Sequence, residues 1–350
     1  MAEASRRRAL VTGAAGFIGS RLCETLVERG WQVLGIDNLN DYYDVRLKHA
    51  RLERMGIAIS GVEEMGERGR TFSSRYEGLE FEVADIRDRD RMEGLFRDYR
   101  PDAVMNLAAQ AGVRYSIENP YSYVTNNVDG FLVLLECARH YPVKRFVYAS
   151  SSSIYGSNGK VPFSETDVVD NPVSLYAATK KSNEMMARAY HNLFGIPAVG
   201  LRFFTVYGPW GRPDMAPMLF ADAICGGKPV RLFNHGDMKR DFTYIDDIVE
   251  GVVKVMEDTR DISEENDLYN IGHGSPVDLM EFVELMEKAF GAEAAKEYLP
   301  MQPGDVTVTY ADTSKLEEDY GYRPSTELPR GIKDFAEWYL SDKNPLNPRC

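Results

Sequence analysis

Cysteine and histidine are scarce in this 350-residue chain, with four of the first and five of the second. Cys23, Cys137, Cys225 and Cys350 stand far apart, without the paired spacing of a zinc ribbon or a thiol redox motif. His235 and His273 lack partners at metal-ligand spacing, so no metal site is expected. Cys23 and Cys137 fall on apolar helix faces, which points to reduced thiols and a cytoplasmic protein. Positive charge is in deficit: 41 Lys and Arg against 54 Asp and Glu leave a formal charge of −13. A nucleic-acid binder needs a basic face, so that class of partner is excluded. No apolar run approaches the roughly 18 residues of a membrane span. Met1–Arg8 carries three arginines, but the apolar run after it is short and broken by glycine, unlike a signal peptide. Repeats and low-complexity tracts are also missing. What is left, 44% hydrophobic and 27% charged, is the composition of a globular protein able to bury a large core.

Against these absences stands one organised stretch, Ala9–Gly19, which reads ALVTGAAGFIG. Its first four residues form an apolar, partly β-branched run expected to be a buried strand. Gly13, Gly16 and Gly19 follow, then apolar residues at helical spacing through Val27. Strand, glycine turn and helix suit a dinucleotide: backbone without side chains can approach a pyrophosphate, and the helix N-terminus offers unpaired N–H groups. Three glycines at GxxGxxG spacing are weak alone and read equally well as an ordinary tight turn. Gln32–Asp37, QVLGID, supplies a second strand ending in an acid 18 positions beyond Gly19. A carboxylate there holds an adenosine ribose and repels a 2′-phosphate, so the cofactor expected is NAD rather than NADP.

Strands and helices then alternate. A polar, aromatic loop at Asn38–Asp44 leads to a helix through about Arg54, and Gly56–Gly78 lacks a clean period and reads as an exposed insertion. Strands are expected at Leu79–Asp85, Ala103–Ala108, Lys144–Ala149 and Ala198–Phe203. Helices are expected at Arg89–Tyr99, Tyr121–His140 and Leu175–Phe194. This order implies an α/β fold with a doubly wound parallel sheet covered by helices on both faces. After Phe204 the elements shorten and Gly208-Pro209-Trp210-Gly211-Arg212-Pro213 breaks the chain. The expected division is a nucleotide-binding domain at 1–203 with a returning segment at about 241–275, whose strand near Asp267–Ile271 rejoins the sheet, and a smaller C-terminal substrate lobe at 204–240 and 276–345.

The chemistry sits at VYASSSSIYG, Val147–Gly156, and twenty-five residues past Ser151 at Tyr176-Ala177-Ala178-Thr179-Lys180. Positions i and i+4 share a helix face, so the Lys180 ammonium can approach the Tyr176 phenol and lower a pKa that begins near 10. Tyr176 then exchanges a proton with a sugar hydroxyl while a serine holds the same oxygen. A lone YxxxK is ordinarily a pair of exposed helix residues. Its place after the glycine loop, the acid-ended strand and the serine-tipped strand gives it meaning here.

In this combination the chain resembles the extended short-chain dehydrogenase/reductases, whose nucleotide-binding half is Rossmann-like, and within them the nucleotide-sugar 4-epimerases, above all those acting on UDP-glucuronate. The likeness rests on DNLNDYYDVRL at Asp37–Leu47, LAAQAGVRYS at Leu107–Ser116, LRFFTVYGPWG at Leu201–Gly211 and LFNHGDMKRDFTYIDD at Leu232–Asp247. It runs from residue 9 to about 340, with the Gly56–Gly78 insertion as a visible elaboration.

The resemblance implies that Gly13, Gly16, Phe17, Ile18 and Gly19 cradle the NAD pyrophosphate, Asp37 and Asn38 hold the adenosine ribose, and Asp85 and Ile86 flank adenine. Leu107, Ala108, Ala109 and Gln110 would line the cofactor, with Asn126 nearby, and Ser151, Tyr176 and Lys180 would be the catalytic trio, the last two also touching NAD. For the UDP-sugar it implies Arg231 and Phe233 at uracil, Arg240 at the diphosphate, and Gln302 and Asp305 near the nucleotide end. Ser152, Ser153, Thr205 and Arg212, with Arg114, are candidates for a hexuronate carboxylate. The implied reaction is C4 epimerisation of UDP-glucuronate and UDP-galacturonate through a 4-keto sugar, with NAD regenerated each cycle. UDP-glucose/UDP-galactose epimerisation, UDP-glucuronate decarboxylation and a non-catalytic NAD scaffold stay open as alternatives. The helices at Tyr121–His140 and Leu175–Phe194 resemble those through which the family dimerises, and Phe131, Leu134 and Leu135 could supply that contact or an internal core. Several residues have plainer readings: Arg240 as half of a surface ion pair, Phe203-Phe204 as core, and Asp246-Asp247-Glu250 as a helix start.

Overall fold

A computed structural model describes residues 6–60, 69–260, 267–302 and 304–346. The apolar run after the arginines forms β1 (Arg8–Thr12), followed by β2 (Gln32–Asp37), β3 (Arg70–Phe72), β4 (Leu79–Val83), β5 (Ala103–Asn106), β6 (Arg145–Ser151), β7 (Ala198–Phe203) and β11 (Asp267–Ile271). These make one eight-stranded sheet ordered β11-β7-β6-β5-β1-β2-β4-β3. Every neighbouring pair is parallel except β3 with β4. The strand order reverses between β1 and β5, which opens a crevice at their carboxyl ends where ligands of such sheets bind.

The expected strands and the doubly wound sheet are present. Within Gly56–Gly78, β3 joins the sheet edge, while positions 61–68 of that insertion lie outside the described residues. Of the returning segment, β11 pairs with β7 as expected, whereas β10 (Lys239–Tyr244) pairs instead with β8 (Thr205–Tyr207) and β12 (Pro276–Asp278). A further pair, β9 (Val230–Leu232) and β13 (Lys296–Tyr298), lies beside them.

Helix Leu175–Phe194 has the bounds its sequence signals, with the Ser174 side chain accepting from the Ala177 N–H at its start and Gly195 at its end. The helix expected over Tyr121–His140 is divided. A short helix at Pro120–Tyr123 passes through a π-helical turn, Val124–Asp129, into helix Gly130–His140. Within that turn the Asn127 carbonyl accepts from Asn183 Nδ2 at 2.6 Å.

One apolar cluster runs from Val147, Val199 and Leu201 of the sheet to Phe220, Phe242, Phe282 and Phe335 of the later elements. The other sheet face is covered by a second cluster holding Phe96, Phe131, Leu134, Leu135 and Phe146. Phe131, Leu134 and Leu135 are thus internal core, at most 1% exposed, and are not available as a contact between copies. Cys23 and Cys137 are buried free thiols, but Cys225 is disulfide-bonded, which confines the expectation of reduced thiols to the first two. Among the described residues no helix is long and apolar enough to cross a membrane.

Candidate active site

The crevice above β1 and β5 is a cavity of about 430 Å³, and its walls contain most of the residues singled out from the sequence. Gly13, Gly16, Phe17, Ile18 and Gly19 form one end. Backbone there is packed too closely for a side chain. A Cβ on Gly13, whose φ is +69°, would lie 2.9 Å from Ala108 N, and one on Gly19 would lie 2.1 Å from the Gly13 carbonyl oxygen. Helix Phe17–Glu28 begins here with no side-chain cap and no acid in its first turn, leaving its positive end to an anion.

At the tip of β2 the Asp37 carboxylate accepts from Leu39 N (2.8 Å) and Ala15 N (3.2 Å), and its Oδ1 lies 3.4 Å from Lys48 Nζ. Both side chains are buried, and both line the cavity. Asn38, in the wall, donates to Asp85 at 3.0 Å. Burial opposes ionisation of Asp85, but hydrogen bonds from Arg87 and Asn38 outweigh it and hold the carboxyl below its ordinary range. Asp85 stands behind Asn38 rather than in the wall, whereas Ile86 is in the wall.

Leu107, Ala108, Ala109 and Gln110 continue the lining, with Asn126 opposite, its Nδ2 donating to the Ser122 carbonyl at 2.7 Å. The Gln110 main chain is clamped by Asn127, which accepts from Gln110 N at 2.8 Å and donates to Gln110 O at 2.9 Å. Gln110 Nε2 is buried, with the Tyr123 hydroxyl as its side-chain neighbour. An uncapped helix N-terminus, a cradle closed to side chains and a carboxylate at the far end together fit a dinucleotide.

The reacting groups stand beyond. β6 ends at Ser151, whose Oγ accepts from Ser153 N (3.2 Å) and Ser153 Oγ (2.9 Å). Tyr176, on the first turn of its helix, hydrogen-bonds Ser151 and meets the Tyr123 ring edge-on at 6.0 Å. Burial raises the Tyr176 phenol above its usual pKa, opposed by the Ser151 hydrogen bond and the charge of Arg212. Lys180 is buried, donates to the Ala149 carbonyl at 2.9 Å, and is pushed down to about 8 by burial. The shared helix face expected of Tyr176 and Lys180 places both in the cavity wall, and Arg212 adds a second charge that opposes the effect of burial on the phenol.

Ser152, Ser153, Thr205 and Arg212 line the same cavity. The remaining substrate candidates gather on one flank. Arg114 pairs with Asp305 at 3.1 Å and lies 4.5 Å over the Phe233 ring, while Arg240 donates to Val306 O at 2.7 Å. Burial lowers the Arg240 pKa, opposed by the charge of Asp305. The Gln302 carbonyl accepts from Asp305 N at 3.2 Å, which brings the turn back to this group. Arg231 stands apart: its side chain is 71% exposed and pairs with Glu297 across β9 and β13.

Four residues escaped the sequence reading. Lys48 and Tyr42 line the cavity, and the block DNLNDYYDVRL, which Lys48 directly follows, is the one sequence signal that could have found them. Asn127 also donates to Thr179 Oγ1 at 3.0 Å, tying the Gln110 loop to the Tyr176 helix. Arg51 is fully buried and donates to Ala15 O (3.0 Å), Tyr43 Oη (2.7 Å) and Trp210 O (2.7 Å). That joins the glycine loop to the Gly208–Gly211 turn. No periodicity or spacing marks either Asn127 or Arg51.

Comparison with known proteins matches residues 9–272 to the model of the NAD dependent epimerase/dehydratase family. Protein CapI of Staphylococcus aureus is 46% identical over 345 residues, covering 95% of this chain and 98% of that protein. UDP-glucuronate 4-epimerase 4 of Arabidopsis thaliana is 46% identical over 350 residues, covering 95% of this chain and 75% of that one. Among solved structures, UDP-glucuronic acid 4-epimerase from Bacillus cereus, in complex with UDP-glucuronic acid and NAD, superposes with a TM-score of 0.83 at 35% identity. That likeness covers 95% of this chain and 98% of the other. With three-quarters of its length matched by the family model and relatives this similar end to end, the chain is a member of the NAD dependent epimerase/dehydratase family.

Proposed function

We propose that this chain interconverts UDP-glucuronate and UDP-galacturonate by inverting C4 of the hexuronate, with NAD held in the same cavity. The observation that carries the reading is the meeting of Ser151, Tyr176 and Arg212 in the one cavity that also holds the glycine cradle. The chemistry NAD supplies when bound is reversible hydride exchange at C4. Asp37 at the ribose end disfavours a 2′-phosphate and so NADP.

In the proposed cycle Tyr176, as phenolate, takes the proton of the 4-hydroxyl on Oη, and Ser151 Oγ holds the sugar oxygen as it becomes a carbonyl. The Tyr176–Ser151 hydrogen bond already aligns the two groups. Lys180 lends positive charge below pH about 8, fixed to the Ala149 carbonyl. The 4-keto sugar turns over in the cavity, and Tyr176 returns the proton once C4 has been reduced on its other face. No net oxidation occurs. A 4-keto group beside a C5 carboxylate is a β-keto acid, prone to lose CO2. Ser152, Ser153, Thr205 and Arg212 are assigned to hold that carboxylate out of alignment with the carbonyl. Arg114, Phe233, Arg240, Gln302 and Asp305 are assigned to the nucleotide end, with Arg231 at its exposed margin. The division into an NAD-binding part (1–203 and 241–275) and a substrate lobe (204–240 and 276–345) belongs to the same proposal.

The test is to incubate the purified protein with UDP-glucuronate and, separately, UDP-glucose, and identify products by mass and NMR. A C4 isomer of unchanged mass from UDP-glucuronate supports the reading. An isomer from UDP-glucose alone favours the neutral-hexose enzyme, loss of CO2 favours a decarboxylase, and no product favours a scaffold.

We also infer a homodimer. Met185 (58% exposed) and Leu193 (70%) on helix Leu175–Phe194, with Tyr121 (82%) beside the π turn, offer apolar surface on the two helices concerned. A monomeric mass by light scattering at micromolar concentration overturns this. The cytoplasm, where NAD and nucleotide sugars are made and used in carbohydrate metabolism, is the compartment the reading requires.

A further inference from the structure

Three loops meet at Arg212. Its own turn, after β8, carries Asp214, and Arg212 Nε and Nη2 grip that carboxylate side-on at 3.0 and 2.5 Å. The loop after β5 adds the Ala111 carbonyl, 3.3 Å from Nη2. The loop after β2, which begins with Asp37 and Asn38, adds Tyr42: its hydroxyl donates to Asp214 Oδ2 at 3.1 Å, and its ring lies 5.8 Å from the guanidinium carbon. Tyr42 is in turn packed 4.8 Å from the Tyr115 ring. Gly112 lies at the meeting point, in a backbone conformation that favours glycine. Its φ is +112°, and a Cβ there would stand 3.4 Å from Tyr42 Oη and 4.0 Å from Arg212 Nη2.

A guanidinium has five N–H donors in a rigid fork. Here Nε and both Nη2 hydrogens are committed to Asp214 and Ala111. Among the described residues neither hydrogen of Nη1 has a hydrogen-bond partner, and Arg212 lines the cavity. A free arginine offers a carboxylate several faces and loses rotamer entropy on binding; a clamped one offers a single face and has lost that entropy already. Burial, then the Asp214 charge, pushes the Tyr42 phenol up to about 12, so its hydroxyl stays a donor to Asp214 across the working pH range.

We propose that Asp214 and Tyr42 are positioning residues for substrate: they lock Arg212 so that its Nη1 edge alone faces the cavity, setting where a sugar carboxylate can sit. The inference rests on the proposed hexuronate substrate. It also links that carboxylate's seat to the loop after Asp37, so that the ribose end of the cavity and the carboxylate end share one support.

The experiment uses Asp214→Asn, which weakens the grip without changing shape, Tyr42→Phe, which removes only one hydroxyl, and Asp214→Glu as the conservative partner. Binding of UDP-glucuronate and of UDP-glucose is measured by calorimetry, and KM, kcat and CO2 released per substrate consumed are measured for UDP-glucuronate. Asp214→Asn is expected to lower the preference for UDP-glucuronate over UDP-glucose about tenfold and to raise CO2 yield, while NAD affinity stays within about twofold. Tyr42→Phe should move the same readouts in the same direction by less, and Asp214→Glu should restore part of the preference. A merely structural role would lower thermal stability or kcat without moving the preference or the CO2 yield. The inference is overturned if both Asp214→Asn and Tyr42→Phe fold, bind NAD and keep the wild-type preference and CO2 yield. Failure of the wild type itself to epimerise UDP-glucuronate strikes the proposed function instead, and the preference ratio in binding then still decides whether the clamp selects a carboxylate.

Discussion

Arg202 grips Glu184 side-on, Nε to Oε1 and Nη2 to Oε2, both at 2.9 Å, with each side chain about 2% exposed. The pair ties β7 to the helix carrying Tyr176 and Lys180, one turn beyond Lys180. Ser150 donates to the same Oε1 at 2.7 Å, so the residue next to Ser151 is fastened to the helix as well. Arg202 Nη1 donates to Tyr155 Oη, which passes the chain on to Asn270 of β11. The trio at the cavity is therefore held by a buried ionic network beneath it.

Removing one partner of such a pair strands a charge in the interior, at a cost of about 3–5 kcal/mol. Glu184→Ala is expected to lose that much stability in urea unfolding. The double variant Glu184→Met with Arg202→Met should lose less than Glu184→Ala, because neither charge is left alone. Equal midpoints for Glu184→Ala and wild type would remove the network from the account of the fold.

Lys180 carries a pH signature. Burial lowers its pKa from 10.5 to about 8, so between those values the folded chain has shed a proton that the unfolded chain keeps. Stability contributed at this position therefore rises with pH across that window and is least below pH 8. Tyrosines and Cys23, raised by burial, slope the other way near and above pH 9, so the difference between wild type and Lys180→Met isolates the term. That difference in unfolding free energy should grow in favour of wild type by up to about 3 kcal/mol from pH 7.5 to 10.5. A flat difference would mean that Lys180 is not desolvated.

What the sequence made legible is what local chemistry determines. QVLGID and its parallel neighbours announced themselves as apolar runs, and helix Leu175–Phe194 carried its own cap at Ser174 and its own stop at Gly195. The hidden features depend on partners distant in sequence. The π turn at Val124–Asp129 exists beside bonds from Asn127 to Gln110 and from Asn183 to Asn127. Arg51 is an unremarkable helix residue until its acceptors at Ala15, Tyr43 and Trp210 converge on it. Phe131, Leu134 and Leu135 read equally as core or interface, and only the packing of Phe131 on Phe146 and Tyr148 decides. At the site itself, helical spacing brought Lys180 to the correct wall but not the acceptor it uses, because Ala149 O is offered by a neighbouring strand.

Tyr176→Phe removes one hydroxyl and leaves the ring against Tyr123. Epimerisation of UDP-glucuronate is expected to fall by at least about 10²-fold, the usual worth of a positioned acid–base. NAD content, measured after denaturation, should match wild type. Near-wild-type turnover in this variant would take Tyr176 out of the mechanism.

Variants of Arg212 separate restraint of the keto-acid from simple affinity. Arg212 has a protein partner in Asp214, so the plain reading, an ion pair that merely shapes the turn, has an observed basis. Against it stands the free Nη1 edge of a cation lining the cavity close enough for its charge to act on Tyr176. If that edge holds the hexuronate carboxylate away from alignment with the C4 carbonyl, losing it should do more than weaken binding. Arg212→Ala and Arg212→His are then expected to release CO2 and a 4-keto-pentose, the C4 hydride staying behind on NAD, with CO2 per substrate consumed well above wild type. The charge lost beside the phenol should also raise the pKa governing kcat, because Arg212 opposes the effect of burial on Tyr176. Slower epimerisation with an unchanged CO2 yield would leave Arg212 a binding residue only, even if KM rose, and the restraint would have to come from Ser152, Ser153 and Thr205.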